Sequence, residues 1–307
     1  MIFMDTGCFG PNRNTNSLPI MALVFASMLF GSTLIITKLS TQTVSIFIFG
    51  GLRYFIGFLV YIPFFKHLYH INKNIIIVSL LTGIANYLLL SLQTIGLQYT
   101  TAAKGGFITS LYIILTPIIA RIISKTPLKK KFFFSVILAL LGIILLIFEN
   151  PLQIFDPFNP ILPNIGDLIV LLAAISVSMQ FFLTDYFFKK YGITEVVLFS
   201  MLQIFTVSML SLCTALLIGE NFSQIMSFDS SIWLVFLYMG IIATTVPLFL
   251  QNWAQKKVSS SKTALIFSLI PVFSALFGFL IGDEAITPSL IIGGGLVIAA
   301  IFISAKE

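Results

Sequence analysis

The sequence predicts an all-α membrane protein of ten transmembrane helices, arranged as two inverted five-helix repeats. Three observations predict it: a composition unable to coat a water-facing surface, a one-sided distribution of Lys and Arg, and polar residues recurring at a fixed register. Of 307 residues, 58% are hydrophobic and only 9% charged, where soluble domains carry about a quarter. That excludes an ordinary cytosolic enzyme, a secreted disulfide scaffold and a disordered chain. The 32 Phe suit lipid contact and helix packing.

A helix crosses a bilayer with roughly 20 mostly apolar residues. Ten segments qualify, at 18–37, 44–65, 75–97, 103–123, 132–148, 166–187, 196–218, 232–253, 264–281 and 289–304. The runs are continuously apolar and lack the alternation of a barrel strand. The opening stretch is polar, with Asp5, Pro11 and Arg13, and the first apolar run is of full membrane length, so no cleavable signal is expected. The predicted organisation is a cytoplasmic tail at 1–17, a first repeat at 18–148, an extracytoplasmic linker at 149–164 and a second repeat at 165–304.

Orientation follows from the cations. With ten spans, 14 of the 17 Lys and Arg fall on one set of loops, including Arg121, Lys125 and Lys129–Lys131. The alternate set holds only Lys38 and Lys104, and Arg53 lies inside a span. One miscounted helix would scramble this partition. The positive-inside bias places both termini in the cytoplasm of a cell-membrane protein.

Cys8 in the tail and Cys213 in a span read as free thiols. His67 and His70 have metal-compatible spacing but no neighbouring carboxylate or thiol, so an interfacial loop is the reading and no metal is expected. No GxxxxGK[ST] signature occurs, so ATP is not the energy source within this chain, and no cofactor or nucleic acid is implied. A membrane-embedded enzyme would need a catalytic cluster in one cavity, which two loop His and rim carboxylates do not supply.

The halves align at a constant offset of 158 positions: Ala85 on Ala243, Leu90 on Leu248, Gln93 on Gln251, Lys104 on Lys262, Ser110 on Ser268 and Leu111 on Leu269. At smaller offsets Thr37 falls on Thr184 and Arg53 on Gln203. A five-helix unit ends on the face opposite its start, so the second copy inserts upside down. Inverted repeats characterise secondary transporters, which bind solute between the halves near the midplane.

Polar groups in hydrocarbon should face the interior or a wet cavity. Asn86 and Gln93 share one face of the third span, and Thr244 and Gln251 share the matching face of the eighth, with Gln255 one turn on. Substrate contact and interhelical hydrogen bonding are both open for these residues. Pro117 and Pro271 interrupt the fourth and ninth spans beside Ser110 and Ser268, pointing to gating or to a structural kink. Arg53 lies roughly nine residues, ~13 Å, into the second span. No carboxylate sits at its depth, so backbone oxygens, cavity water or a substrate anion must satisfy it. Without a buried Asp or Glu, a neutral, zwitterionic or anionic solute is favoured over a cation exchanged for protons.

The chain resembles the drug/metabolite transporter superfamily, specifically members built from two EamA-type halves. The first-half elements are Phe30-Gly31-Ser32 through Lys38, Leu52-Arg53-Tyr54, and Ala102 through Tyr112 with Pro117. The second-half elements are Gly166-Asp167, Gln251-Asn252-Trp253-Ala254-Gln255, Lys262 leading into Ala264, Ser268 through Phe273, Gly282-Asp283-Glu284 and Gly293-Gly294-Gly295. The resemblance implies a central cavity from the first four helices of each half, peripheral fifth and tenth helices, and transport without ATP hydrolysis. Ile270 stands where many relatives carry an acid before the ninth-helix proline, which removes the basis for a proton role there.

The expected function is secondary transport of a small metabolite, such as an amino acid or related nitrogenous compound. Broad efflux of drugs or toxic metabolites is the alternative, with Phe and nine Met lining an adaptable pocket. The candidate substrate-binding set is Arg53, Asn86, Gln93, Ser110, Tyr112, Thr244, Gln251, Trp253 and Ser268, with Pro117 and Pro271 as gating residues. The expected partners are a small-molecule solute and the lipid bilayer. A coupling ion or exchanged solute, and association into a homo-oligomer, are left open.

Overall fold

The computed structural model describes residues 17–99, 108–125, 130–147, 165–281 and 288–305. The expectations for the tail, the linker, Lys104 and Gly282-Asp283-Glu284 fall outside these residues, as do the side chains of His67 and His70. Among the described residues the structure is helical, without strands. In chain order the helices are α1 (Ser17–Ser40), α2 (Ile46–Leu59), α3 (Lys73–Gly96), α4 (Tyr112–Ser124), α5 (Lys130–Ile147) and α6 (Ile165–Tyr191). There follow α7 (Val196–Leu217), α8 (Ser230–Leu237), a π-helical stretch over Tyr238–Thr245, α9 (Val246–Gln255), α10 (Ser260–Phe267), α11 (Leu269–Ile281) and α12 (Pro288–Ala305).

Five helical stretches are long and apolar enough to cross a membrane: Ser17–Thr37, Lys73–Gly96, Ile165–Tyr191, Val196–Leu217 and Ser230–Gln255. The other apolar helices are shorter. The second predicted span stops early, because Pro63 cannot donate to Leu59 and disfavours helix at Ile62. The chain continues there as 3₁₀ turns over Ile62–His70.

Local chemistry sets the other ends. Asn72, Asp229 and Ser259 accept from the backbone N–H three residues on and start α3, α8 and α10. Gly192 (φ 59°) and Gly219 (φ 74°) end α6 and α7 in the left-handed region. The start of α2 is capped from a distant loop. Phe47 N–H donates to Glu220 Oε1 at 3.1 Å and Ile48 N–H to Oε2 at 2.8 Å. Ser45 and Gln224 exchange two further hydrogen bonds beside them.

The helices interlock across the two halves of the chain. Helix α1 packs on α9, α10 and α11, whereas α6 packs on α3 and α4. Helix α2 meets α7, α5 meets α12, and the α3–α7 contact has its counterpart between the π stretch and α2. Glycine makes the closest approaches possible. A Cβ on Gly240 would lie 2.7 Å from the Arg53 carbonyl oxygen, and one on Gly57 2.6 Å from Thr245 Oγ1. Large apolar side chains such as Phe134, Leu217 and Phe302 lie on the outside, as lipid contact requires.

Candidate functional site

Among the described residues, three groups of interior polar residues concern the site. The first surrounds Arg53, which is only 4% exposed. Its Nε donates to Thr244 Oγ1, its Nη2 reaches the Ala243 carbonyl at 3.4 Å, and its guanidinium lies 5.6 Å from the centre of the Tyr54 ring. Tyr54 in turn accepts from Asn86 Nδ2 at 3.5 Å. Arg53, Asn86 and Thr244, all expected from the sequence, therefore occupy one neighbourhood.

The Ala243 carbonyl lacks its ordinary α-helical donor for a reason legible in the chain. Pro247, four residues on, has no N–H to donate. Next to it the ladder has widened: Val246 N–H reaches Ile241 O, while Thr245 Oγ1 donates to Gly240 O at 2.8 Å. Such π segments frequently mark functional sites. The sequence reading considered Pro117 and Pro271 and missed Pro247, whose mid-span position was the available signal.

The second group is a cluster of amides within the second half. Gln251 Nε2 donates to Gln180 Oε1 at 3.1 Å and to Gln255 Oε1 at 3.3 Å, and Gln255 Nε2 to the Phe181 carbonyl at 3.0 Å. On another face of α9, Asn252 Nδ2 donates to Ser200 Oγ at 2.9 Å and Gln203 Oε1 at 2.8 Å. Buried and without partners are Gln180 Nε2, Gln203 Nε2 and Asn252 Oδ1. Gln180 and Ser200 were missed, because polar residues recur at several positions of the sixth and seventh spans and nothing in the sequence singles out these two.

The third group lies where two helices break. In the fourth predicted span the helix is interrupted at Leu111, whose N–H bonds back to Ile108 O at 3.1 Å. In the ninth the break is at Ser268, whose N–H bonds to Leu265 O at 3.2 Å and whose Oγ donates to the same carbonyl at 2.6 Å. The two breaks correspond within one residue at the 158 register. Tyr112 OH joins them, donating to the Phe267 carbonyl at 2.6 Å. The rings of Phe30, Tyr112, Phe181 and Phe267 pack edge to face around this bond.

The two prolines differ in their places. Pro117 lies inside α4. Pro271 is the third residue of α11, and the carbonyl four residues before it, that of Phe267, lacks the N–H a proline cannot supply and takes the Tyr112 hydroxyl. The ninth-span interruption therefore falls in the turn that its proline leaves unbonded. Gln93 does not meet Gln251: its Nε2 donates to Thr109 Oγ1 at 3.2 Å. Trp253 is half-buried between two apolar clusters, and Ser110 is buried next to the α4 break. Among the described residues no group of His, Cys, Asp and Glu could hold a metal ion.

The sequence pattern of the EamA-like transporter family matches the chain twice, over residues 17–148 and 164–305. An uncharacterized transporter of Archaeoglobus fulgidus is 30% identical over 283 residues, covering 92% of this chain and 84% of the relative. The uncharacterized transporter YoaV of Bacillus subtilis is 23% identical over 302 residues, covering 93% and 96%. A solved crystal structure superposes with a TM-score of 0.75 at 16% identity, covering 95% of this chain and 96% of that one, a likeness of fold alone.

Proposed function

This chain belongs to the EamA-like transporter family, a multi-pass membrane transporter and not an enzyme, and from that premise we propose that it is a secondary transporter of a small metabolite. The solute class we assign is an amino acid or related nitrogenous compound, moved across the cell membrane by alternating access between two inverted five-helix halves. Both termini lie in the cytoplasm in this reading.

The observation that carries it is the exchange of helices between the halves. Advancing each helix by one repeat turns the α1 contacts with α9–α11 into the α6 contacts with α3 and α4, and leaves the α2–α7 and α5–α12 pairs in place. That is the pattern of a twofold axis between two copies, each matched separately by the family. Solute sites of secondary transporters lie on such an axis, beside interrupted helices. The paired breaks bridged by Tyr112 and the π stretch at Arg53 supply those interruptions, and the unpaired amide atoms supply hydrogen-bonding capacity.

The test is counterflow in proteoliposomes holding the purified full chain, preloaded with a mixture of amino acids and related amines and amides. Accumulation of at least one labelled solute, abolished without preload and unaffected by ATP, is the expected result. Vesicles with correctly inserted protein that exchange none of them would refute the reading.

A further inference from the structure

We infer that the cleft between α1, α2, α3 and α7 is the seat of a solute bearing a carboxylate, with Arg53 as its anion partner and the hydroxyls of Ser91 and Ser211 as hydrogen-bonding groups. This rests on the transporter reading and adds to it a solute class and two residues outside the set expected from the sequence.

The charge comes first. Arg53 has five N–H donors, and its acceptors are Thr244 Oγ1 and the Ala243 carbonyl. Among the described residues no carboxylate pairs with it. The buried acids of the described residues are elsewhere, Asp185 with Lys189 on α6 and Asp167 at the opposite end of that helix. A buried cation left without a counter-charge costs several kcal/mol, which an arriving anion would offset. The bonds to Thr244 and Ala243 use Nε and Nη2, one edge of the planar fork. The edge formed by Nη1 and the second Nη2 hydrogen is left, and that edge matches the two oxygens of a carboxylate.

The space comes second. Phe49 and Gly50 line the cleft from α2, and Arg53 lies one turn beyond the lining residues, at i+4 and i+3 from these two on the same face of the helix. Ser91 and Ser211 line it from α3 and α7 and are 7% and 1% exposed. Neither hydroxyl has a hydrogen-bond partner. Each can donate to a carboxylate or accept from an ammonium. As it stands the cleft has room for about one water molecule, so loading it requires α2 to part from α3 and α7.

One positive charge suits one singly charged carboxylate group, with any ammonium of the solute left to the serine hydroxyls. Among the described buried residues Arg53 is the cation, and a phosphate dianion would leave a charge uncompensated. A carboxylate is therefore favoured over a phosphate ester.

The experiment compares three panels of solutes on the purified full chain: the protein amino acids, their carboxamides, and monoalkyl phosphates of similar size. Binding is read by thermal stabilisation and transport by counterflow. At least one amino acid should stabilise the wild type while its carboxamide and the matching phosphate do not. Its affinity should fall at least tenfold in Arg53→Gln and several-fold in the Ser91→Ala/Ser211→Ala double variant. Carboxamides or phosphates acting as well as amino acids, amino acids without effect, or full binding in the serine double variant would each overturn the inference. Should Arg53→Gln fail to fold, the wild-type panels and the serine variant still decide. Counterflow of carboxamides alone would sink the carboxylate assignment and leave the transporter reading standing, whereas no counterflow in any panel would sink both.

Discussion

Single side chains tie the interior together at points where the backbone has lost its own partner. Tyr112 shows this most simply, because its hydroxyl occupies the Phe267 carbonyl where α10 ends. In Tyr112→Phe that carbonyl loses its partner at nearly constant volume. We expect a loss of about 0.5–1.5 kcal/mol, read as a lower unfolding midpoint in detergent, with helical content unchanged. Arg53 was conspicuous in the sequence because a lone cation in an apolar run has no cheap explanation. Its partners were not legible. Thr244 was marked by its place on the matching face of the eighth span and not as a partner of Arg53, and the Ala243 carbonyl is opened to it by Pro247, which only the helical register converts into an acceptor.

At the scale of elements, apolar length located the helices but not their interruptions. The second segment has 22 apolar-rich residues by sequence, yet its helix runs only Ile46–Leu59, since hydropathy is blind to the donor that Pro63 lacks. The ninth breaks at Ser268, in the turn before Pro271, where the missing proline N–H leaves the ladder open and the serine hydroxyl turns back onto Leu265 O. For the amide faces the sequence left substrate contact and interhelical hydrogen bonding both open, because an amide can be satisfied by any neighbour, and Gln251 bonds to Gln180. Close approach between α2 and the π stretch makes a sharper forecast. Gly240→Ala places a methyl against the Arg53 carbonyl oxygen and should cost about 1–3 kcal/mol by overpacking. Gly295→Ala, where a Cβ meets open space, should leave the unfolding midpoint unchanged or slightly raised.

At the scale of the whole molecule the duplication was legible, since the family pattern matches each half separately and a repeat register is a sum over many residues that tolerates local error. The partition of 14 cations to 2 makes a prediction independent of any side-chain contact. Reporters fused to the amino and carboxyl ends should both read out as cytoplasmic. Finding them on opposite faces would be incompatible with an even number of spans. Charge counting could not foresee which helices of one half bed against the other, since apolar faces carry no address.

The bedding of α1 against the second half bears on how the chain is made. Its partners α9–α11 leave the ribosome some 200 residues later, roughly 10–40 s at 5–20 residues per second. Throughout that interval α1 waits in lipid with its destined neighbours unborn. It can do so because Ser27, Ser32 and Thr33 each donate to a carbonyl three residues back in α1 itself. In a nascent helix so provisioned these three mid-helix hydroxyls solicit no wrong companion, and biogenesis can be patient.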